Sequence, residues 1–168
     1  RRVLFLVDRL ELEDQADKAF KSYLKNDYAT VIYKDRRDDW RKAEIVVTTV
    51  QSLLFNNKYK RLFSPTDFDL VISDVQMPGL NGIDLLRRIK AVSPGTAVLM
   101  MTAYSAAEQA VEAMKLGAYD YISKPFKVEE IKILIRNALE KSDLKRENSI
   151  LKETAQRRDD FRGIIGAS

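Results

Sequence analysis

Apolar residues along the chain fall into short continuous runs, separated by stretches in which they recur at helical spacing. VLFLVD (3–8) is the first such run and predicts a strand buried on both faces. In the polar stretch that follows, Leu12, Ala16, Ala19, Phe20, Tyr23 and Leu24 recur at helical spacing with charges opposite, which predicts an amphipathic helix. YATVIYK (28–34) is β-branched and aromatic and reads as a second strand. A polar connection, DRRDDWRKAE, leads to a third strand in EIVVTTV (44–50), and QSLLFNNKYKRLF predicts a helix fraying into a loop. Pro65 closes that unit, and FDLVISD (68–74) opens the next strand.

The second half is more regular. Residues 83–92 are helical in period and stop at SPG, and TAVLMMTA (96–103) reads as a strand. Ser105 with Glu108 three residues on forms a capping-box pattern, and Ala107, Ala110, Val111 and Met114 are the expected inward stripe of its helix. Gly117 supplies a C-terminal stop. AYDYIS is a last short strand before Lys124-Pro125. From Val128 a long helix is expected to about residue 158. Its first turns carry a wide apolar face of Val128, Ile131, Leu134, Ile135 and Ala138. Beyond Glu140 that face narrows to Leu144, Ile150, Leu151 and Ala155, too polar a stretch for a core. Leu144 and Leu151 lie one heptad apart, with Asn148 and Ala155 between and after them, which suggests a short, weak coiled coil and hence a homodimer through this helix.

Strands alternating with helices six times predict an α/β fold, a doubly wound parallel sheet of about six strands with helices on both faces and a long C-terminal helix. Ligands of such sheets bind at the carboxyl ends of the strands. Asp8, Asp74, Thr102 and Lys124 all fall at such ends and are expected on one rim. An aspartate delivered there, as Asp74 is by DLVISD, can accept a phosphoryl group, hold magnesium for ATP, or cap a turn. Tyr121 on the last strand reads as core or as a mobile ring.

Composition changes this picture little. The chain has 168 residues, 45% hydrophobic and 32% charged, enough for one domain with an appendage. No run of about 18 apolar residues predicts a membrane span, and there is no signal-peptide pattern. Zero Cys excludes disulfides and thiolate metal sites and fits a cytoplasmic location. Zero His removes the usual general base and the commonest zinc ligand. A net charge of +4 is mild, and nucleic acid is not expected as a partner on charge alone. A start at Arg1-Arg2 without Met is expected of a fragment.

Asp74 with MPGLNG, Thr102 in MMTAYS, and Lys124-Pro125 in YISKPF together resemble the receiver domain of bacterial response regulators. The stretch from 85 to 126 resembles the NtrC class, in which a receiver precedes an AAA+ ATPase that activates sigma-54 polymerase. FRGIIGAS (161–168) resembles the start of that ATPase. The resemblance, over about residues 68–168, implies Asp74 as phosphoacceptor and magnesium (Mg2+) as the metal. It implies the Gln76 backbone carbonyl as a metal ligand, Lys124 and Thr102 as phosphoryl-binding groups, Thr102 and Tyr121 as the switch, and a cis peptide before Pro125. It also implies a sensor kinase as partner. The family's acidic pair after the first strand is reduced to Asp8, because Arg9 follows it. Glu11, Glu13 and Asp14 belong to the helix and are expected to face outward.

The first half resembles something else. VLFLVDRLELEDQ and AEIVVTTVQSLLF, leading to FDLVISD, resemble motifs Ia and Ib and the start of the DEAH box in the helicase motor of the type I restriction enzyme HsdR subunit. That resemblance implies backbone DNA contacts at Arg9, Thr48, Thr49 and Gln51. The motor chemistry is excluded by the residues: there is no G-x-x-x-x-G-K-[ST] loop, and Val75 stands where the water-orienting acid is needed. No nuclease motif occurs, so no enzyme activity is expected. The chain is therefore expected to be a hybrid, with EIVVTTVQSLL as a βα unit too many for a receiver. Its expected parts are a motor-like segment (1–67), a receiver-like second half joined to it (68–126), a long helix continuing into a linker (127–160) and the start of an AAA+ domain (161–168). Its phosphorelay function is expected to be impaired or absent, leaving a folded hybrid without native activity. A working Mg-dependent receiver and an inactive DNA-binding fragment are the alternatives.

Overall fold

The computed structural model describes residues 2–8, 18, 21–22, 30–32, 41–54, 64–103 and 107–166. Strands β1 (Val3–Val7), β2 (Thr30–Ile32), β3 (Ile45–Thr49), β4 (Leu70–Asp74), β7 (Ala97–Ala103) and β8 (Asp120–Lys124) form one sheet in the order β2-β3-β1-β4-β7-β8. Every pairing in it is parallel. Between β4 and β7, β5 (Gln76–Met77) and β6 (Leu80–Asn81) make a two-residue antiparallel ladder. The helices whose bounds lie among the described residues are α1 (Val50–Leu54), α2 (Gly82–Val92), α3 (Ala107–Lys115) and α4 (Val128–Ile165).

The continuous apolar runs become strands because each is buried on both faces. All five residues of β1, β3 and β4 are buried. Their alternate side chains feed two separate layers, as a period of two requires. Leu4, Leu6, Val71, Val98 and Met100 pack with Ile83, Leu86 and Ile89 of α2 and Ala113 of α3. Val3, Phe5, Leu70, Ile72, Leu99 and Met101 pack with Ile131, Ile135, Ala138 and Leu139 of α4. Helices therefore cover both faces, as the alternation of strand and helix predicts.

Three expectations change. EIVVTTV, marked by the sequence as the supernumerary unit, is an inner strand: β3 pairs with β1 over five residues, Val3↔Ile45 to Val7↔Thr49. The added strand is the three-residue β2, which lies on the edge and pairs only with β3. The inward stripe of α3 is also rotated. Ala110 and Ala113 are buried, whereas Ala107, Val111 and Met114 are exposed. Small residues let α3 sit close to the sheet, and the bulkier apolar ones face away. The Ser105 cap lies outside the described residues, and of the helix expected after β1 only Lys18, Lys21 and Ser22 are described, all helical. Finally, α4 continues without a break through residues 161–165.

At the opposite end of the sheet from Asp74, Asp69 ties three segments together. Its carboxylate accepts the Arg2 backbone N–H at 2.7 Å and pairs with the Arg146 guanidinium at 2.6 Å. Arg146 belongs to the exposed part of α4, so this ion pair draws the helix tail against the base of β4.

Candidate functional site

The parallel register brings the carboxyl ends of β1, β4, β7 and β8 side by side. Leu6 pairs with Ser73 and Asp74 with Met101, so Asp8 and Asp74 end adjacent strands. Ala103 pairs with Lys124, which sets Thr102 and Lys124 on neighbouring strands at the same rim. All four rim residues expected from the sequence are thus gathered there.

Asp74 is the centre. Only 6% of it is exposed. One carboxylate oxygen accepts the Gln76 N–H at 3.0 Å, and the other pairs with the Lys124 ammonium. A cation and a backbone donor thus replace the water that this buried carboxylate has lost. Thr102 is 2% exposed and borders the same end of β7. Tyr121 is 44% exposed on β8, so its ring stands outward and is not core. The Lys124–Pro125 peptide is cis.

The loop after Asp74 is shaped by two glycines. Gly79 has φ +76, which a tight turn between β5 and β6 needs and which side chains oppose. Gly82 opens α2 and donates its N–H to the Val75 carbonyl at 2.9 Å. A Cβ there would lie 2.1 Å from the Asp74 carbonyl oxygen, so only glycine permits the approach. Asn81 caps the helix by accepting the Ile83 N–H at 2.9 Å. Beside this loop lies an open cavity of about 680 Å³ that reaches Asp8, Gln76 and Asn81 and is walled by Gln109 and Glu112 of α3. The sequence offers no signal for the last two, since polar residues on an amphipathic helix are ordinary surface.

Asp8, Asp74 and the Gln76 carbonyl supply the hard oxygen donors that magnesium takes, and magnesium keeps several waters when protein ligands are few. No cluster of three or more acidic, His or Cys side chains occurs among the described residues. The donor set among the described residues, two carboxylates and a backbone carbonyl, fits magnesium.

The proposed DNA contacts do not survive as a set. Thr48 and Thr49 are 0% and 1% exposed, because β3 is interior to the sheet. Thr49 is occupied in capping α1: its hydroxyl accepts the Ser52 N–H at 3.1 Å. Gln51 is exposed, but its amide donates to the Asp8 carbonyl at 3.1 Å and so braces the rim. Arg9 lies outside the described residues.

Residues 40–136 match the family described as the response regulator receiver domain. The chain belongs to that family. The match takes in β3 and β4, so the receiver begins well before residue 68. Over 86 residues the chain is 38% identical to the regulatory protein AtoC of Escherichia coli (strain K12), covering 51% of this chain and 19% of AtoC. It is 33% identical over 142 residues to the C4-dicarboxylate transport transcriptional regulatory protein DctD of Rhizobium meliloti (strain 1021), covering 82% of this chain and 31% of DctD. A response regulator receiver domain protein from Clostridium thermocellum superposes with a TM-score of 0.63 at 25% identity, over 85% of this chain and 97% of that one. The receiver is of the kind found in NtrC-like transcriptional regulators, and it spans less than a third of AtoC or DctD. Five strands, β3-β1-β4-β7-β8, form its flavodoxin-like sheet, with β2 added at the edge. No described helix is long and apolar enough to cross a membrane.

Proposed function

We propose that this receiver accepts a phosphoryl group on Asp74 from a sensor kinase, with reduced efficiency because its metal site is depleted. The observation that carries the reading is the Asp74–Lys124 pair at a nearly buried strand end, with Thr102 beside it. In the transfer a carboxylate oxygen of Asp74 forms the new P–O bond. The bond to the donor breaks, and the donor group leaves with its electron pair. Lys124 is placed to turn from the carboxylate to the phosphoryl oxygens. Thr102, at the same end of β7, would hydrogen-bond the same group, and the exposed Tyr121 would follow it. Asp8, Asp74 and the Gln76 carbonyl would hold magnesium, which when bound neutralises phosphoryl charge. Asp8 alone in place of an acidic pair is the reason for reduced efficiency.

The test is magnesium-dependent binding of beryllofluoride, followed by tryptophan fluorescence or amide NMR. Saturable binding that Asp74→Ala abolishes supports the reading. Absence of binding by a cooperatively folded chain refutes phosphoacceptance.

The tail of α4 supports pairing of two copies. Leu144, Leu151 and Ile165 are each more than 60% exposed. At 3.6 residues per turn, Leu144 and Leu151 lie about 160° and 140° around the helix from Arg146, which faces the domain. A second helix can therefore pack on Leu144 and Leu151 without disturbing the Arg146–Asp69 pair. A motor-like origin of the first segment rests on its motifs and on β2, an edge strand beyond the five that the receiver uses.

A further inference from the structure

Gln51, expected from the sequence at a DNA backbone, turns instead to the segment that carries Asp8. The β1–β4 ladder ends with Leu6↔Ser73, and the β1–β3 ladder ends with Val7↔Thr49. Asp8 therefore lies past both ladders, where strand pairing no longer fixes the backbone. Its carbonyl accepts the Gln51 side-chain amide at 3.1 Å. A side chain thus takes over, one residue beyond β1, the kind of bond that the ladder makes with backbone donors.

The donor has a fixed origin. Val50, just before Gln51, is 1% exposed. Ser52, just after it, gives its N–H to the Thr49 hydroxyl at 3.1 Å, and the two hydroxyls lie 2.8 Å apart. Thr49 itself is buried at the end of β3. Gln51 thus stands on a turn anchored on both sides, and its amide crosses from there to the neighbouring strand end. On the Asp8 side, the carboxylate oxygen Oδ1 is removed from solvent, and the residue lines the cavity that Gln76 also lines. Where that carboxylate sits follows from where its backbone is held.

We infer that Gln51 is a positioning residue for the magnesium site: by holding the Asp8 carbonyl it sets the Asp8 carboxylate toward the loop of Asp74 and Gln76. This role rests on the proposed magnesium-dependent phosphoacceptance at Asp74. A neutral amide suits it, because Lys and Arg offer donors only with a positive charge, which would repel the cation that Asp8 is to hold.

The experiment is a magnesium chloride titration of the whole chain at constant ionic strength, followed by amide NMR, for the parent, Gln51→Met and Ser52→Ala. Gln51→Met, at an exposed position, keeps the reach of the side chain and removes the donor. It is expected to weaken magnesium binding about fivefold, the scale of one net hydrogen bond. Ser52→Ala removes a hydroxyl from the same turn and leaves the Gln51–Asp8 bond in place, so it is expected to bind magnesium as the parent does. Equal affinity in Gln51→Met and the parent, or an equal loss in Ser52→Ala, would overturn the role of Gln51 and leave phosphoacceptance standing. A parent with no saturable shifts at residues 74–76 would overturn the magnesium reading itself, and the role of Gln51 with it.

Discussion

Gly82→Ala tests how the fold brings the phosphoacceptor loop and α2 together. The added Cβ would meet the Asp74 carbonyl oxygen at 2.1 Å, Val75 Cα at 2.8 Å and the Asp74 carbonyl carbon at 3.0 Å. All three atoms are backbone, so no side chain can swing aside. The first contact falls about 1.4 Å short of the ~3.5 Å at which nonbonded heavy atoms attract. Strain of this kind costs about 1–3 kcal/mol. The Gly82 N–H to Val75 bond, at 2.9 Å, is stretched in the process and accounts for about 1 kcal/mol more. Better helix propensity returns at most about 1 kcal/mol. The net loss is about 1–3 kcal/mol, or a fall in Tm of about 2–12 °C for a chain of this size. Gly95→Ala is the control, because nothing lies within 4 Å of its Cβ and its φ is not in the left-handed region. That variant should melt within about 2 °C of the parent. The assay is thermal unfolding by circular dichroism, paired with beryllofluoride binding, which should weaken as the strand end carrying Asp74 shifts. A Gly82→Ala protein that melts as high as Gly95→Ala would refute the close approach.

The remaining predictions address other parts of the molecule. Leu86→Ala, which empties a position with 0% exposure, should cost about 2–5 kcal/mol in urea unfolding. Asp69→Ala should cost about 1–2 kcal/mol, because it removes the acceptor of the partly buried Arg2 N–H. Arg146→Ala, whose side chain is 63% exposed, should cost about 0.5 kcal/mol, and equal losses would contradict this ranking. The folded pKa of Lys90 is held below 10.5, so the unfolded chain binds more protons as pH rises toward that value. Stability from this group therefore increases with pH between the lowered pKa and 10.5, and Lys90→Gln should remove that increment from the parent's pH profile. Leu144→Asp with Leu151→Asp should abolish any dimer seen by sedimentation while leaving the urea midpoint of the domain unchanged.

Much of the rim was legible because its signals are local. DLVISD and TAVLMMTA carry buried runs to Asp74 and Thr102, AYDYIS leads into Lys124, and parallel pairing alone brings those ends together. The burial of α3 was not legible in the same way. Val111 and Met114 look like core by hydropathy, but the close seat on the sheet admits only Ala110 and Ala113. Strand order was also beyond the pattern: β2 and β3 both read as good strands, and only pairing length decides which stands inside. Asp69 with Arg146 spans 77 residues between two exposed-looking charges, and no periodicity links them.

A receiver's geometry at Asp74 does not require the same residues as a complete metal site. Asp74 depends on Lys124, the Gln76 N–H and the Gly82 approach, and all of these lie in the second half. Among the described residues Asp8 is the first-half acid at the rim, and the Gln51 amide braces its carbonyl from the start of α1. The fold needs from the first half only two buried strands of the right length, and β1 and β3 provide them. The metal needs carboxylates at one loop, a requirement that hydrophobic pairing does not enforce. Packing can therefore be complete where the chemistry is partial, and the reading proposed above puts the weak step at the metal site beside Asp8 and not at the Asp74–Lys124 pair.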